Sequence, residues 1–255
     1  MNATAVTGFS PWRSLALEAR CEFLRLLRTP GFVVPTLFFP LLFYCLFGVL
    51  LNGGKGNIEA SHYLLASYCV FGVMAPGLFG FGVQIALERD RGLLRLKRAL
   101  PMPPQNYLLA KLGMAMLFAT VIFTALSILA MTIGGVHLAA IQWLALAAAT
   151  IFGVIPFCAL GLVVGTMVSG QAAPGIINII YLPMAFLAGV AIPLQAMPPV
   201  VQSFAPLWPA YHLSQLAHQA IGQPSQGDAG VHFLVLSGFA AVCFAIARRR
   251  MQRFE

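Results

Sequence analysis

Glu88–Pro104 reads ERDRGLLRLKRALPMPP, and how this stretch is read decides the architecture. The chain is only 9% charged, yet seven of its 22 Asp, Glu, Lys and Arg residues fall between Glu88 and Arg98, and prolines follow at 101, 103 and 104. Wound as a helix, Glu88–Leu100 sets Arg91, Arg95 and Arg98 on one face at i, i+4 and i+7. Leu93, Leu96 and Leu100 fall on another. The prolines then stop the helix, and Asn106 is placed to cap the next one. The expectation is a short amphipathic helix along a membrane surface. Three like charges on one face repel, and anionic lipid headgroups or an acidic protein groove would relieve that equally well. Spacing alone leaves both partners open.

The surroundings of the stretch are those of an integral membrane protein. Of 255 residues, 60% are hydrophobic, against about 45–50% apolar and about 25% charged in soluble domains. The mean hydropathy is +0.86. So little polar surface cannot coat a globule in water. Cys21, Cys45, Cys69, Cys158 and Cys243 are isolated and predict neither a disulfide framework nor a metal motif. Met1–Pro11 is polar, so no cleavable signal is expected there.

About 20 apolar residues cross about 30 Å of hydrocarbon. Six stretches qualify: 31–51, 64–87, 108–136, 138–168, 176–192 and 231–247, the last two being short. Arg13, Arg20, Arg25 and Arg28 precede the first span. Arg89, Arg91, Arg95, Lys97, Arg98 and Lys111 lie between the second and third, and Arg248, Arg249, Arg250 and Arg253 follow the sixth. Six spans put these cations on one side and leave Lys55 alone on the other, so both termini are expected in the cytoplasm. That topology explains the +8 net charge without nucleic acid. The whole chain reads as one transmembrane domain, with 14–28 as an interfacial helix and 193–230 as an outer segment.

No Asp, Glu, Lys or Arg occurs from Leu112 to Gly227. Ion-coupled transporters keep such residues at membrane depth, so the energy for transport is expected from a partner. GGKG at Gly53–Gly56 lacks the spacing and the Ser or Thr of a Walker A motif. Gly-x-Ser-x-Gly, HExxH and paired-Asp motifs are absent as well, which disfavours a membrane enzyme.

Three motifs carry a family resemblance. The first is Glu88–Arg98, then Ala99–Pro104 and Leu108-Leu-Ala-Lys111. The second is Ala185-Phe-Leu-Ala-Gly189-Val-Ala-Ile-Pro193, followed by Met197-Pro-Pro and Ala205-Pro-Leu-Trp-Pro-Ala-Tyr211. The third is the helix Leu15–Arg28 with Thr29-Pro30-Gly31 and Pro35. Together they resemble type-2 ABC transporter permeases over nearly the whole chain. The resemblance implies an exporter subunit in the cell (inner) membrane, working as a dimer with itself or a related chain. ATP and Mg would sit on a separate ATPase subunit, and no cofactor is implied in this chain. It also implies that Glu88, Arg91, Gly92, Leu93, Arg95 and Arg98 form the coupling helix that meets the ATPase, with Ser14–Arg28 as a second contact, beside its plain reading as a membrane-surface anchor. Short re-entrant or interfacial helices are implied between spans five and six.

Other residues are read from their chemistry. Gln84, Asn178 and Tyr181 either line a pathway or bond between helices. Phe204, Trp208, Tyr211 and Leu216 suit the headgroup boundary. Gly161 and Gly165 form a GxxxG, and Gly72, Gly77, Gly80 and Gly82 crowd span two. These predict close helix packing within the chain or at a dimer seam. His62, His137, His212, His218 and His232 are expected as ordinary interfacial histidines, since His212 and His218 are six apart and no carboxylates accompany them.

Overall fold

The computed structural model describes residues 11–50, 58–94, 96 and 104–252, and every regular element among them is helical. Helix α1 (Pro11–Leu27) precedes α2 (Pro30–Leu50), α3 (Glu59–Asp90), α4 (Pro104–Thr132), α5 (Ala140–Met167) and α6 (Ala173–Leu187). Short helices α7 (Pro199–Phe204) and α8 (Pro209–Ala220) lead to α9 (Ala229–Gln252). Five of these, α2 to α5 and α9, are long and apolar enough to cross a membrane, whereas α6 is apolar but has 15 residues. The protein is an all-α, multi-pass membrane bundle.

Helix α3 is the most buried crossing, and α2 and α9 are the least. Its centrality rests on glycine. A Cβ on Gly82 would lie 2.6 Å from the Gly161 carbonyl oxygen. One on Gly161 would lie 2.7 Å from that of Gly77, and one on Gly165 would lie 2.5 Å from that of Gly82. The α3 and α5 backbones therefore touch directly, which small residues permit where no hydrophobic force operates between helices. This contact consumes the GxxxG inside the chain, so Gly161 and Gly165 are not free to form a dimer seam. Pro76, in the middle of α3, lacks an N–H and opens the helix into a wide π-helical turn over Pro76–Val83.

Helix ends depart from the expected spans for local reasons. The third span stops at Thr132 rather than 136, because Gly135 takes φ +64° and turns the chain. The fourth is two pieces, Ala140–Phe152 and Val154–Met167, hinged at Gly153. Pro156 is the cause: it cannot donate to Phe152 and its ring crowds the preceding turn. The fifth ends at Leu187 rather than 192. There Gly189, at φ +74°, donates to the Phe186 carbonyl and Val190 to the Ala185 carbonyl, both at 3.1 Å, a Schellman cap.

Helix α1 is amphipathic in an inverted sense. Leu17, Cys21 and Leu24 face outward, whereas Glu22 is buried against α4. Beside lipid this is the stable arrangement, because the oily stripe loses nothing there and the charges find partners inside. Helix α8 is likewise part of the bundle and not laid upon it. It packs on α3, α5 and α9 and buries Tyr211, Leu213, Ser214, Ala217 and His218. Of the residues assigned to a headgroup boundary, Phe204 is exposed, Trp208 and Leu216 are half-buried and Tyr211 is buried. The amphipathic pattern of α8 marks a protein-facing helix, in which Tyr211 packs inward.

The glycine contact predicts a sharp asymmetry. Gly161→Ala is expected to cost about 1–3 kcal/mol, since backbone atoms must separate. Gly113→Ala, where nothing lies within 4 Å of the added carbon, should be neutral or stabilising. Melting of the two purified variants in detergent measures the difference.

Candidate functional site: a buried ion joint beneath an exposed turn

The charged stretch divides by residue. Glu88, at the end of α3, is fully buried. Its carboxylate pairs with Arg25 of α1 and accepts a hydrogen bond from the Tyr107 hydroxyl of α4. It also accepts from Lys111 Nζ at 3.1 Å. Lys111 donates in turn to Glu22 of α1 at 3.0 Å and sits 5.1 Å from the Tyr107 ring centroid, within cation–π range. Among the described residues, two carboxylates and two cations from three helices form a neutral cluster. Such a cluster survives burial only because every charge is paired and hydrogen-bonded.

The next two residues grip a different part of the bundle. Arg89 donates to the carbonyls of Gly165 at 3.1 Å and Val168 at 2.7 Å, which end α5 and lack helical partners. It also pairs with Asp90 at 3.1 Å, and the other Asp90 oxygen accepts from the Gly170 N–H at 2.6 Å. Three consecutive residues thus tie α1, α3, α4 and α5 together at one place.

Beyond them the chain turns. Arg91 and Gly92 are exposed, and Gly92 takes φ +71°, which ends α3. Leu93, Leu94 and Leu96 resume as a helical turn, with Leu93 and Leu94 half-buried and Leu96 63% exposed. The single helix expected over Glu88–Leu100 is therefore broken at Gly92. Glu88 belongs to the interior and not to a face shared with Arg91. Arg95, Arg98 and Leu100, with Pro101 and Pro103, lie outside the described residues. Pro104 starts α4 instead of stopping a helix, as a proline does in a first turn where its missing N–H has no partner to lose, and Asn106 is buried within α4.

Asn178 and Tyr181 meet at a cavity of about 250 Å³ between α2, α3 and α6. Its other walls include Phe32, Phe39, Phe71 and Phe79, and the Tyr181 ring lies 5.5 Å from Phe71 and 5.6 Å from Phe79. Asn178 is exposed at its mouth. Gln84 is half-buried on α3 and does not line this space.

The histidines are more organised than interfacial residues need to be. His218 faces Ser67 Oγ and the Tyr63 carbonyl, each at 3.2 Å, and Ser214 Oγ at 3.3 Å. It stacks on the Tyr63 ring at 4.2 Å. Burial pushes it down to about 4. His212 and His232 approach through Nδ1 at 2.8 Å, while their Nε2 atoms reach the carbonyls of Pro206 at 2.9 Å and Gln226 at 2.6 Å. A nitrogen facing a carbonyl must carry hydrogen, so the Nδ1 contact is a hydrogen bond only when the rings share one more proton. Burial lowers His212, the Pro206 carbonyl partly offsets this, and His232 beside it lowers it further, so the pair resists taking that proton. Among the described residues, no three His, Cys, Asp or Glu side chains converge on a metal-sized site.

Reasoning from sequence missed Glu22, Arg25, Tyr107 and Lys111 as members of one site. The available signal was Lys111, a lone cation placed after the start of a long apolar run with no carboxylate near it in sequence.

A multi-pass helical bundle whose second crossing ends in this joint defines an all-α integral membrane protein. The family model described as ABC-2 type transporter matches residues 15–221, and the chain belongs to that family. It is a membrane permease of the ABC transporter class. It is also 29% identical over 215 residues to a Bacillus subtilis (strain 168) protein named "Putative transport permease YvfS", covering 83% of this chain and 87% of that one.

Two predictions follow from the geometry. Lys111→Met removes the cation that Glu22 and Glu88 share and should cost about 3–5 kcal/mol. Combining it with Glu22→Gln should recover a large part of the loss, as a thermal double-mutant cycle in nanodiscs will read. For His218, the unfolded chain takes its proton near the ordinary 6.5, whereas the folded one does so only near 4. Stability should therefore be flat above pH 6.5 and fall by up to about 3 kcal/mol as pH drops from 6.5 to 4. His218→Gln should remove that part of the pH dependence, measured by melting across the range.

Proposed function

We propose that the protein is the membrane-spanning subunit of an ATP-driven exporter. It spans six times with both termini in the cytoplasm, and Arg91, Gly92, Leu93, Arg95 and Arg98 meet a groove of a separate ATP-hydrolysing subunit. The observation that carries this is the attachment of the exposed Arg91–Gly92 turn to the buried joint at Glu88, Arg89 and Asp90. A displacement of the turn cannot be absorbed by the joint, whose members are packed and paired, and so passes to four helices as a rigid-body movement. Glu88 acts as the fulcrum, not as a contact.

Two copies, or this chain and a related one, pair with two ATPase subunits that carry ATP and Mg. ATP favours one closed state of the motor and thereby one arrangement of the spans. The cargo is amphipathic or hydrophobic, of lipid-, glycan- or drug-like chemistry. Supporting this are the uncharged run from Leu112 to Gly227 and the aromatic cavity with Asn178 at its mouth. An exposed amide facing lipid alone would be costly, whereas one facing a pathway or a second copy finds partners.

The test is capture of the tagged chain from its native membrane in mild detergent, beside the variant Arg91→Glu, Arg95→Glu. The wild type should bring down ATP-hydrolysing activity and the variant at least about 10-fold less, as loss of two charged contacts implies. Equal capture by both, with equal insertion, places the motor contact elsewhere. Capture by neither removes the exporter reading.

A further inference from the structure

A second cavity, of about 170 Å³, lies at the other end of α3 from the ion joint, between α3, α8, the stretch that follows α6 and the loop before α9. Tyr63 on its wall and Glu88 in the joint are 25 residues apart on one helix, roughly 37 Å. Among the described residues the lining contains no Asp, Glu, Lys or Arg, and amides and hydroxyls make up half of it: Gln195, Gln202, Gln215, Gln226, Ser214 and Ser225. We propose that this cavity binds a neutral, hydroxyl-rich group of about one sugar ring.

The chemistry of the walls selects that class. An anion would need Arg or Lys and a cation would need carboxylates, and among the described residues neither lines the space. An apolar group would strip water from several amides and return no hydrogen bonds, which costs more than its burial gains. A hydroxyl donates and accepts at once, and the cavity offers both in fixed places. Gln202 gives its nitrogen to the Met197 carbonyl at 2.8 Å, which leaves its oxygen to accept. Gln215 accepts from the Gln226 N–H at 2.7 Å, which leaves its nitrogen to donate. Gln226 accepts from the Tyr211 hydroxyl at 3.2 Å and likewise keeps a nitrogen. Each of these three amides is held by one end and offers the other, so its orientation is set before a ligand arrives.

The floor supports the same assignment. His218 lines the cavity and is neutral at ordinary pH, because burial lowers it to about 4. It is stacked on Tyr63, which gives the site a flat aromatic base. The wall at Gln226 is anchored from behind, where its carbonyl accepts from His232. The volume is below the roughly 300–1,000 Å³ that encloses a drug-sized ligand, so the site takes the head of a larger molecule or a small free saccharide. To that extent it deepens the exporter reading by favouring glycan-like cargo. Binding itself is tested without the ATPase, so failure of one does not imply failure of the other.

The experiment is saturation-transfer NMR on the purified full chain in phospholipid nanodiscs, with maltose and N-acetylglucosamine as probes and inorganic phosphate and benzyl alcohol as competitors. Ring protons of the sugars should receive saturation, and neither competitor should displace them. Gln195→Leu, whose native side chain makes no hydrogen bond among the described residues, should weaken the signal about 3–10-fold with unchanged melting, the range expected for one lost hydrogen bond. Gln202→Leu should do so independently. Nanodiscs doped with a monoglucosyl diacylglycerol separate the sources: competition by the doped lipid identifies a lipid headgroup, and its failure identifies a free glycan. Absence of sugar saturation in the folded protein overturns the proposal. So does displacement by phosphate or benzyl alcohol, or equal signals from wild type and both variants.

Discussion

Lys111 is the residue on which the rest of the bundle depends. A lysine buried at 4% exposure is untenable alone, and it is held by carboxylates from two other helices, Glu22 and Glu88. Those carboxylates fix α1 against α4 and fix where α3 ends. With the end of α3 fixed, Arg89 and Asp90 stand opposite the last carbonyls of α5 and the turn into α6. One cation therefore determines the placing of four helices. Apolar packing beside lipid, which is weakly directional and lacks a hydrophobic drive between helices, would leave that placing loose.

The second constraint is steric. Where α3 and α5 touch through Gly77, Gly82, Gly161 and Gly165, no side chain stands between the backbones. Polar bonds at the end of α3 and bare backbone contact along its length make it the axis of the fold. Helices α2 and α9, whose faces are largely exposed, are the surface. An exposed α2 that carries Val34, Phe38 and Phe39 is at home in lipid or against another copy of the chain.

Much of this was legible beforehand, and what was not has a common cause. Long crossings announce themselves by apolar length, and the small-residue spacing in α3 and α5 announces close packing. The break at Gly92 was hidden because a periodic charge pattern reads through a glycine as easily as through any other residue. The joint was hidden because its members are 63 and 89 residues apart in pairs, and pairing at such distance leaves no local pattern. The inward turn of Tyr211, and the His212–His232 contact across 20 residues, were hidden for the same reason. Local rules assign a residue to a face, but only the fold says what that face meets.

The break in α5 has a mechanical meaning. Its second half is clamped to α3 by glycine contacts and by Arg89. Its first half carries α8: Leu213 presses on Gly153, and Gln142 donates to the Ile221 carbonyl at 3.1 Å. A crossing that looks like one rod is thus two levers pinned at Gly153. One is welded to the charged end of the bundle and the other bears the polar cavity, so α5 links the two ends through a single glycine, beside the continuous link that α3 provides.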